Sequence, residues 1–474
     1  MNTSGLSAEQ AALLEELLQE QGITGRQQVI AAREHDEHPP LSLAQEQMWF
    51  SEQLSPGNSF FNLGPAYHVR GPLDLDALRR ALTALVARHN VLRSRYPEHG
   101  GTPRQRILPV QPYELDLVDV SGHPEPRAES GRIAVREMNR PFDLAHDSLL
   151  RTTVVRVSSE EHVLAFTFQH IVADGTSVDV FLRELESLYT AETTGRDSAL
   201  PELPIQYADF AAWQREWLQT EEARQHLAYW RDRLTDAPAL LDLPTDRPRP
   251  ATQSFAGAAV TQAYPAGLTA RLEDFAKAHG VSMFMVMLTA LKILLSRYSG
   301  QNDLVVGTPA GGRSQPELDQ LIGCFFNVLP LRTELSGDLT VLEVLDRVRD
   351  SALDAYAHQN VPFQTVMEQL GLRRDLSHNQ FTQVLLSVPW EAATRPSTFA
   401  GLGATPIEVP VESTVSDLMV HAWPVDGQLC LHLVYAVDLF DVVTVERFGR
   451  HFVRVLEWMV SDPSARVSGC ELLS

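Results

Sequence analysis

Residues 163–169, with the sequence VLAFTFQ, form a run of aliphatic, aromatic and β-branched residues that predicts a buried β-strand. Further along, Val178, Phe181, Leu182 and Leu185 recur at three- and four-residue spacing, which predicts an amphipathic helix. Only the short segment HIVADGTS separates the two. The pattern therefore predicts a strand, a sharp loop and a helix in direct succession.

The same alternation of helices and strands continues through the chain. Leu78 and Leu82 belong to a predicted helix that Asp74 or Asp76 caps. The longest apolar run, Val281–Leu295, is too short to span a bilayer and carries a lysine, so we expect a buried helix. Because both halves of the chain alternate in this way, the predicted fold class is α/β, with two related lobes.

Two segments rich in proline and polar residues mark the predicted boundaries. REHDEHPP separates a short amphipathic helix, predicted over residues 6–22, from the body of the chain, and DLPTDRPRPATQ divides that body. We therefore predict an N-terminal helix and linker over residues 1–40, a first lobe over residues 41–215, and a linker with a second lobe over residues 216–474.

The composition is that of a globular protein, since 44% of the 474 residues are hydrophobic and 21% are charged. The formal net charge of −22 argues against a nucleic-acid partner, which would need a basic face. Cys324, Cys430 and Cys470 lack metal-binding spacing and suit free thiols in a reducing compartment. With no basic flank and apolar stretch near the N-terminus, these features predict a cytoplasmic protein without a membrane partner.

His170 lies where the predicted strand gives way to the helix. Side chains alternate along a strand, so His170 shares a face with Phe166 and Phe168, and Gln169 points to the opposite face. The start of the next helix supplies free backbone N–H groups and a positive dipole end, both suited to developing negative charge. Gly175 would let the backbone turn tightly or approach a ligand. His170 is therefore the candidate for catalysis.

A structural interpretation fits these few residues equally well. In that interpretation His170 is a hydrogen-bonded core histidine and Asp174 is the N-cap of the helix. Asp174 would accept from the helix amides or pair with an arginine elsewhere in the chain. The spacing H-x-x-x-D-G is a weak signal by itself, so the rest of the chain has to decide.

Seven segments together resemble the motifs of the condensation domains of nonribosomal peptide synthetases. QHIVADG is similar to the HHxxxDG signature of that family, and LIGCFFNVLPLR is similar to its IGxFxNxxxxR motif. The other five also stand in the family's order: LSLAQEQMWF, RHNVLRSRY, YADFAAWQ, AHQNVPFQ and RRDLSHNQFTQ. The matches cover nearly all of the chain from Leu41 onward, so the chain is identified as a member of this family.

The resemblance implies a fold and a reaction. The family fold is a V-shaped pseudodimer of two chloramphenicol-acetyltransferase-like lobes with a central tunnel. Donor and acceptor carrier proteins dock at its two mouths, and each presents its substrate on a phosphopantetheine arm. The expected reaction moves the donor acyl group from its thioester to an amine acceptor, or in some relatives to a hydroxyl. The chain itself is expected to bind no cofactor and no metal.

Motif positions assign roles to individual residues by resemblance. His170 corresponds to the second histidine of the signature and would lie at the reaction centre. Because a free α-amino group has a pKa of about 8, His170 would mainly orient an amine and stabilise the tetrahedral intermediate, whereas a hydroxyl would need more general-base help. Asp174 corresponds to a structural residue that pairs with an arginine of the other lobe, and Arg313 in GTPAGGRS is the candidate partner.

Some residues at motif positions differ from the family pattern, and others have more than one possible role. Gln169 replaces the first histidine, but its amide donates and accepts hydrogen bonds and points away from His170, so we expect the site to survive. Gln47 stands where the opening motif has arginine and is expected to alter local packing. Asn327 matches a motif asparagine near the tunnel, and a structural role at a strand end fits it equally. The remaining motif residues are more typical of scaffold than of chemistry: Tyr207, Asp209, Trp213, His358, Arg374 and Asp375.

Two functional hypotheses follow. The first is an acyltransferase that forms an amide, or an ester, between carrier-bound or free substrates. The second is a catalytically silent condensation-like module that recruits a partner enzyme. Relatives of that kind lose motif residues, whereas His170, Asp174 and Gly175 are all present, which favours catalysis.

The expected partners are donor and acceptor carrier proteins, or a free small-molecule acceptor. The sequence contains no carrier-like serine motif and no P-loop, so we expect either a monomer that meets carriers in trans or part of a larger synthetase. Carrier proteins are usually acidic as well. Docking is therefore expected to be weak and transient, and to rest on apolar contacts and local arginines.

Overall fold

The computed structural model describes residues 29–34, 38–54, 56–372, 375–390 and 398–472. The predicted helix over residues 6–22 and Arg374 lie outside these ranges. The described residues contain eleven α-helices and seventeen β-strands, several of them only two residues long. Helices and strands alternate along the whole described chain, which confirms the predicted α/β class.

The helices and strands are numbered in chain order. The helices are α1 (Leu43–Leu54), α2 (Leu75–Arg88), α3 (Pro126–Met138), α4 (Gly175–Thr194), α5 (Tyr207–Trp217), α6 (Glu221–Leu234), α7 (Ala266–Ala278), α8 (Met283–Ser299), α9 (Val341–Ala357), α10 (Phe363–Gln369) and α11 (Val442–Ser461). The strands are β1 (Asn62–Leu63), β2 (Ala66–Arg70), β3 (Ser94–Arg95), β4 (Glu98–His99), β5 (Thr102–Pro103), β6 (Arg106–Ile107), β7 (Asp116–Asp119), β8 (Leu150–Arg156), β9 (Glu161–Gln169), β10 (Gly257–Tyr264), β11 (Asp303–Ala310), β12 (Asn327–Glu334), β13 (Val384–Ser387), β14 (Thr398–Phe399), β15 (Leu402–Ile407), β16 (Leu418–Val425) and β17 (Gln428–Ala436).

The first sheet has the strand order β14-β15-β2-β9-β8-β7, and β1 pairs with the end of β9. Strand β9 is buried on both faces. On one face, Phe166 and Phe168 contact Phe181 of α4 edge-on, with ring centroids 5.2 and 4.9 Å apart. On the other face, Val163 and Ala165 join a smaller apolar cluster under α3. Packing on both faces fixes the strand that ends beside His170.

The second sheet has the order β10-β17-β16-β13-β11-β12, in which β13 runs parallel to both of its neighbours. Helix α8 is the predicted buried helix, and its residues from Met283 to Ser296 are all buried. None of the described helices is by itself long and apolar enough to cross a bilayer. Only the pair α7 and α8 meets that requirement together, and it bends by 105° at its break.

Strands β14 and β15 connect the two sheets. They lie in the range predicted as the second lobe, but β15 pairs antiparallel with β2 of the first sheet. The sequence of β15, LGATPI, contains glycine and proline and gave no strand signal. The division of the chain between residues 215 and 216 stays a prediction. Residues 398–407 belong to the predicted second lobe by sequence but to the first sheet by pairing. The V shape and the central tunnel also stay predictions.

Candidate functional site

His170 follows β9 directly and lies in the turn before α4. Its backbone N–H donates to the carbonyl of Phe61 at 2.7 Å, and its carbonyl accepts from the N–H of Ala173 at 3.3 Å. The residue is partly exposed, and its ring lies across from the ring of Phe326 with 5.5 Å between centroids. The backbone of the turn is therefore fixed, and the ring that it carries is largely enclosed.

The imidazole of His170 is neutral at pH 7. Burial lowers its pKa from the ordinary value of 6.5, and the carboxylate of Asp174 opposes that shift without cancelling it. Its Nδ1 atom is buried and has no hydrogen-bond partner within the described chain. Core histidines normally have their ring nitrogens bonded. This atom gives no support to the interpretation of His170 as a hydrogen-bonded core histidine, but the buried Nδ1 atoms of His68 and His162 lack partners within the described chain as well.

Gln169 is the last residue of β9 and is buried. Its Oε1 accepts from the N–H of Ile171 at 2.6 Å, across the turn that carries His170. The side chain thus satisfies a backbone group that is buried in the turn. Any role at this position that requires an imidazole is absent from this chain.

Asp174 caps α4 and binds the opposite part of the chain at the same time. Its Oδ1 accepts from the N–H of Ser177 at 2.8 Å and from Nη2 of Arg313 at 3.2 Å. Its Oδ2 accepts from the N–H of Phe325 at 3.1 Å. The predicted N-cap and the predicted arginine pairing therefore both occur, on the same carboxylate.

Arg313 is 1% exposed, so the alternative of a surface loop arginine does not fit. Its Nη2 donates to Ser177 Oγ at 2.8 Å, and its Nη1 donates to the carbonyls of Leu318 and Leu321. The guanidinium carbon lies 4.1 Å from the ring centroid of Phe325. Both terminal nitrogens of Arg313 are hydrogen-bonded, whereas its buried Nε has no hydrogen-bond partner within the described chain. Removing one partner of a buried ion pair of this kind costs about 3–5 kcal/mol.

Gly175 and Asn327 are the two remaining predicted site residues, and they differ in their contacts. Gly175 does not adopt a positive φ, and a Cβ there would meet nothing within 4 Å, so the turn itself does not require glycine. Approach of a ligand to Gly175 stays a prediction. Asn327 begins β12, and its Nδ2 donates to the carbonyls of Gln359 and Val361 at 2.9 and 2.8 Å. Its Oδ1 accepts from the N–H of Phe363 at 2.9 Å, which favours the structural role.

Ser177 is a site residue that the sequence analysis missed. Its Oγ accepts from the N–H of Gly323 at 3.0 Å and lies within hydrogen-bond distance of Asp174 and Arg313. Gly323 is required at this contact, because a Cβ would lie 1.9 Å from a ring carbon of Tyr207. The position of Ser177, three residues after an N-cap aspartate, was the available signal.

His89 is a second missed residue, although it lies in the RHNVLRSRY motif. It is 1% exposed, and its Nε2 lies 2.7 Å from Oε2 of Glu184 on α4. The N–H of Ile322 donates to its Nδ1 at 3.4 Å. Since Nδ1 accepts, Nε2 carries the proton toward Glu184. His89 thus links α4 to the segment that also contacts Asp174.

A cleft opens beside this network between α1, α5 and the start of β12. Phe326, which contacts His170, lines it together with Gln47 and Trp213. The cleft is narrow, with a cavity volume of about 60 Å³, and is partly open to solvent. Gln47, the second departure from the family motif, is exposed at this wall, and Trp213 contributes to it as well. Within the described ranges, no cluster of three or more His, Cys, Asp or Glu side chains suits a metal ion.

Residues 35–474 match the condensation domain family. The chain belongs to that family. A linear gramicidin synthase protein of Brevibacillus parabrevis is 38% identical over 478 residues, which cover 100% of this chain and 6% of that protein. The condensation domain described here thus spans a small part of such a relative. The predicted membership among the condensation domains of nonribosomal peptide synthetases is confirmed.

Two solved structures show the same fold. The complex of the X-domain and OxyB from teicoplanin biosynthesis matches with a TM-score of 0.84 and 33% identity, over 95% of this chain and 99% of that one. The first condensation domain of the calcium-dependent antibiotic synthetase matches with a TM-score of 0.76 over 92% of this chain and 99% of that one. At 24% identity, the second comparison supports the fold alone.

Proposed function

We propose that this condensation domain transfers an acyl group from a thioester on a carrier-bound phosphopantetheine arm to an amine acceptor, with His170 at the reaction centre. The observation that carries the proposal is the state of His170. Its imidazole is neutral and partly exposed, and its ring contacts Phe326, which lines a cleft. These are the requirements for a group that receives or directs a proton near pH 7.

The chemistry follows from the two ring nitrogens. Nδ1 is buried, so in this proposal Nε2 is the atom that meets the substrate. The amine nitrogen attacks the thioester carbonyl and forms the C–N bond while the carbonyl electrons move to oxygen. Nε2 orients the amine and takes the proton that the amine loses. Collapse of the intermediate breaks the C–S bond, and the departing thiolate takes up a proton, which leaves an amide and a free thiol.

Asp174, Arg313 and Ser177 are positioning residues in this proposal. They do not face the cleft but hold the start of α4 against the segment that carries Phe325 and Phe326. His170 lies on one side of this junction and Phe326 on the other. The junction therefore sets the distance between the imidazole and the cleft wall.

The cleft fits a phosphopantetheine arm in its chemistry. The arm is uncharged between its phosphate and its thioester and carries two amide groups. Amide side chains such as Gln47 and Gln214 line the cleft and would hold those groups by hydrogen bonds. Carrier proteins are accordingly the proposed partners. Their weak docking, and the cytoplasmic location of the protein, stay predictions.

The second candidate is the recruiting module. One observation favours it: the X-domain of the complex with OxyB is 33% identical to this chain, and the solved condensation domain only 24%. A domain of this kind would bind a partner enzyme and need no chemistry at His170. The retained His170 and the cleft beside it support catalysis instead.

A mass-spectrometric assay separates the two candidates. Acyl-loaded carriers are mixed with amine and alcohol acceptors and the protein, and new amides or esters are measured. Amide formation supports the proposal, and ester formation alone would correct the acceptor class. If no product forms with any pair while the protein co-elutes with an OxyB-type enzyme, the recruiting function replaces catalysis.

A further inference from the structure

The cleft beside His170 has an unusual wall for so acidic a protein. Charged residues make up 21% of the chain and the net charge is −22, yet no Asp, Glu, Lys or Arg of the described ranges lines this cleft. Its wall is built from aromatic and amide side chains, among them Phe210, Trp213, Phe326, Gln47, Gln214 and Gln364.

Charged side chains behind the cleft wall are bonded to other groups of the protein. Glu368 accepts a hydrogen bond from Nε2 of the lining residue Gln364 at 3.1 Å. Arg313 stands between two residues that line the cleft, but its guanidinium points into the buried network around Asp174. On the outer side, Arg215 of α5 pairs with Glu46 of α1 at 2.5 Å. A charged group that entered the cleft would therefore meet amides and rings on the wall itself, and an anion would find no cation among the lining residues.

Phe326 connects this cleft to His170. It lines the cleft, and its ring centroid is 5.5 Å from that of His170. The neighbouring Phe325 is buried against Tyr207 and Phe210, with centroid distances of 5.0 and 4.8 Å. The N–H of Phe325 donates to Asp174, and Oδ1 of Asn327 accepts from the N–H of Phe363. Because both neighbours of Phe326 are held in this way, its backbone has little freedom to move away from the cleft.

From these contacts we infer that Phe326 determines substrate specificity, and that the cleft admits groups without charge and of limited bulk. Removing a charge from water without a partner costs several kcal/mol, whereas neutral polar groups find hydrogen bonds on the amide wall. Phe326 occupies a position that the IGxFxN motif leaves variable, so the residue there can set the size limit of each domain. The inference deepens the proposed function and depends on it for turnover, but not for binding.

The first test measures turnover with small thioesters, so that carrier docking plays no part. In one panel the acceptor aminoacyl group is varied with a fixed donor, and in the other the donor acyl group is varied with a fixed acceptor. Each panel contains small, bulky and charged groups, apart from the reacting amine. We compare the wild type with Phe326→Val and with Phe50→Val, which alters an exposed ring on α1 outside the cleft.

In one of the two panels, the wild type should prefer neutral to charged groups of equal size by about tenfold or more in kcat/KM. Phe326→Val should reduce the preference for small over bulky groups in that same panel by about tenfold, a typical size for one pocket contact. Phe50→Val should leave both ratios unchanged. Equal rates for charged and neutral groups in both panels, or no change of ratio in Phe326→Val, would overturn the inference.

A binding measurement separates this inference from the proposed function. Trp213 lines the cleft, and its signal in ¹⁹F spectra of the full chain labelled with 5-fluorotryptophan is assigned with Trp213→Phe. Unreactive pantetheine thioethers that carry neutral or charged groups are then titrated. If neutral groups shift this signal at lower concentration than charged ones, the inference stands even where no transfer occurs. If both bind equally, the inference fails even where transfer does occur.

Discussion

Nη2 of Arg313 lies 3.2 Å from Oδ1 of Asp174, although 139 positions separate the two residues in the chain. Asp174 is the N-cap of α4 in the first half, and Arg313 lies in the loop after β11 of the second half. Both side chains are buried, and each makes further hydrogen bonds to the partner's half. The pair therefore ties the two halves together four residues from His170.

The first prediction concerns this pair. Arg313→Met should lower the free energy of unfolding by about 3–5 kcal/mol, because Asp174 would remain as a buried charge without its partner. Arg79→Met is the matched control, since Arg79 pairs with Asp76 on the exposed surface of α2. Loss of such an exposed pair costs about 1 kcal/mol or less. Denaturant unfolding measures both, and equal losses would contradict this assignment of the buried pair.

The second prediction concerns the glutamine in place of the family's first histidine. Gln169→Leu should lower the free energy of unfolding by about 1–3 kcal/mol, because the buried N–H of Ile171 loses its acceptor. Gln169→His keeps a ring nitrogen that can accept, so its loss should be smaller, and acyl transfer should persist. Transfer that appears only in Gln169→His would show that glutamine silences the natural site.

The third prediction follows from the lowered pKa of His170. A neutral imidazole assists the reaction, so this assistance is complete above the ordinary value of 6.5 and is lost only as pH falls through the lower pKa of the folded protein. The acceptor amine titrates too, so the quantity to plot is the ratio of wild-type to His170→Ala kcat/KM. The ratio should stay constant from pH 8 to about 6.5 and fall below that. A decline that begins above 6.5 would contradict the shift.

The fourth prediction concerns Lys292, the buried lysine of α8. Burial lowers its pKa well below the ordinary 10.5, so at pH values between the folded and the unfolded pKa the unfolded chain binds a proton that the folded protein has released. The stability of the wild type should therefore rise with pH, by up to about 1.4 kcal/mol for each pH unit, until the unfolded chain also loses that proton near 10.5. Lys292→Met lacks this contribution. Unfolding curves for both proteins between pH 7 and 10 test it, and parallel pH dependences would refute it.

The local elements of the site could be predicted from the sequence. The spacing of hydrophobic residues predicted the strand before His170 and the helix after it. Asp174 is the N-cap of that helix, as the sequence suggested. These features depend on residues that are neighbours in the chain, so the local hydrophobic pattern is sufficient to predict them. The cap of α2 was left open between two aspartates, and the structure assigns it to Asp74.

Contacts between distant segments could not be predicted from residue patterns alone. The pairing of β15 with β2 joins segments more than 300 positions apart, and nothing in the sequence of β15 marks its partner. Phe326 shows the same difficulty, since its contact with His170 depends on how the second half packs against the first. Arg313 was named in advance only because the family resemblance pointed to it.

The most direct test of the central claim is single-turnover acyl transfer from one loaded carrier to one amine, with His170→Ala beside the wild type. His146→Ala is the control, because its side chain is 79% exposed in the first half of the chain. His170→Ala should fold normally, and its transfer rate should fall by about 10²- to 10⁴-fold, the usual contribution of a positioned acid–base group. A folded His170→Ala protein that transfers at the wild-type rate would show that the reaction centre is not at His170.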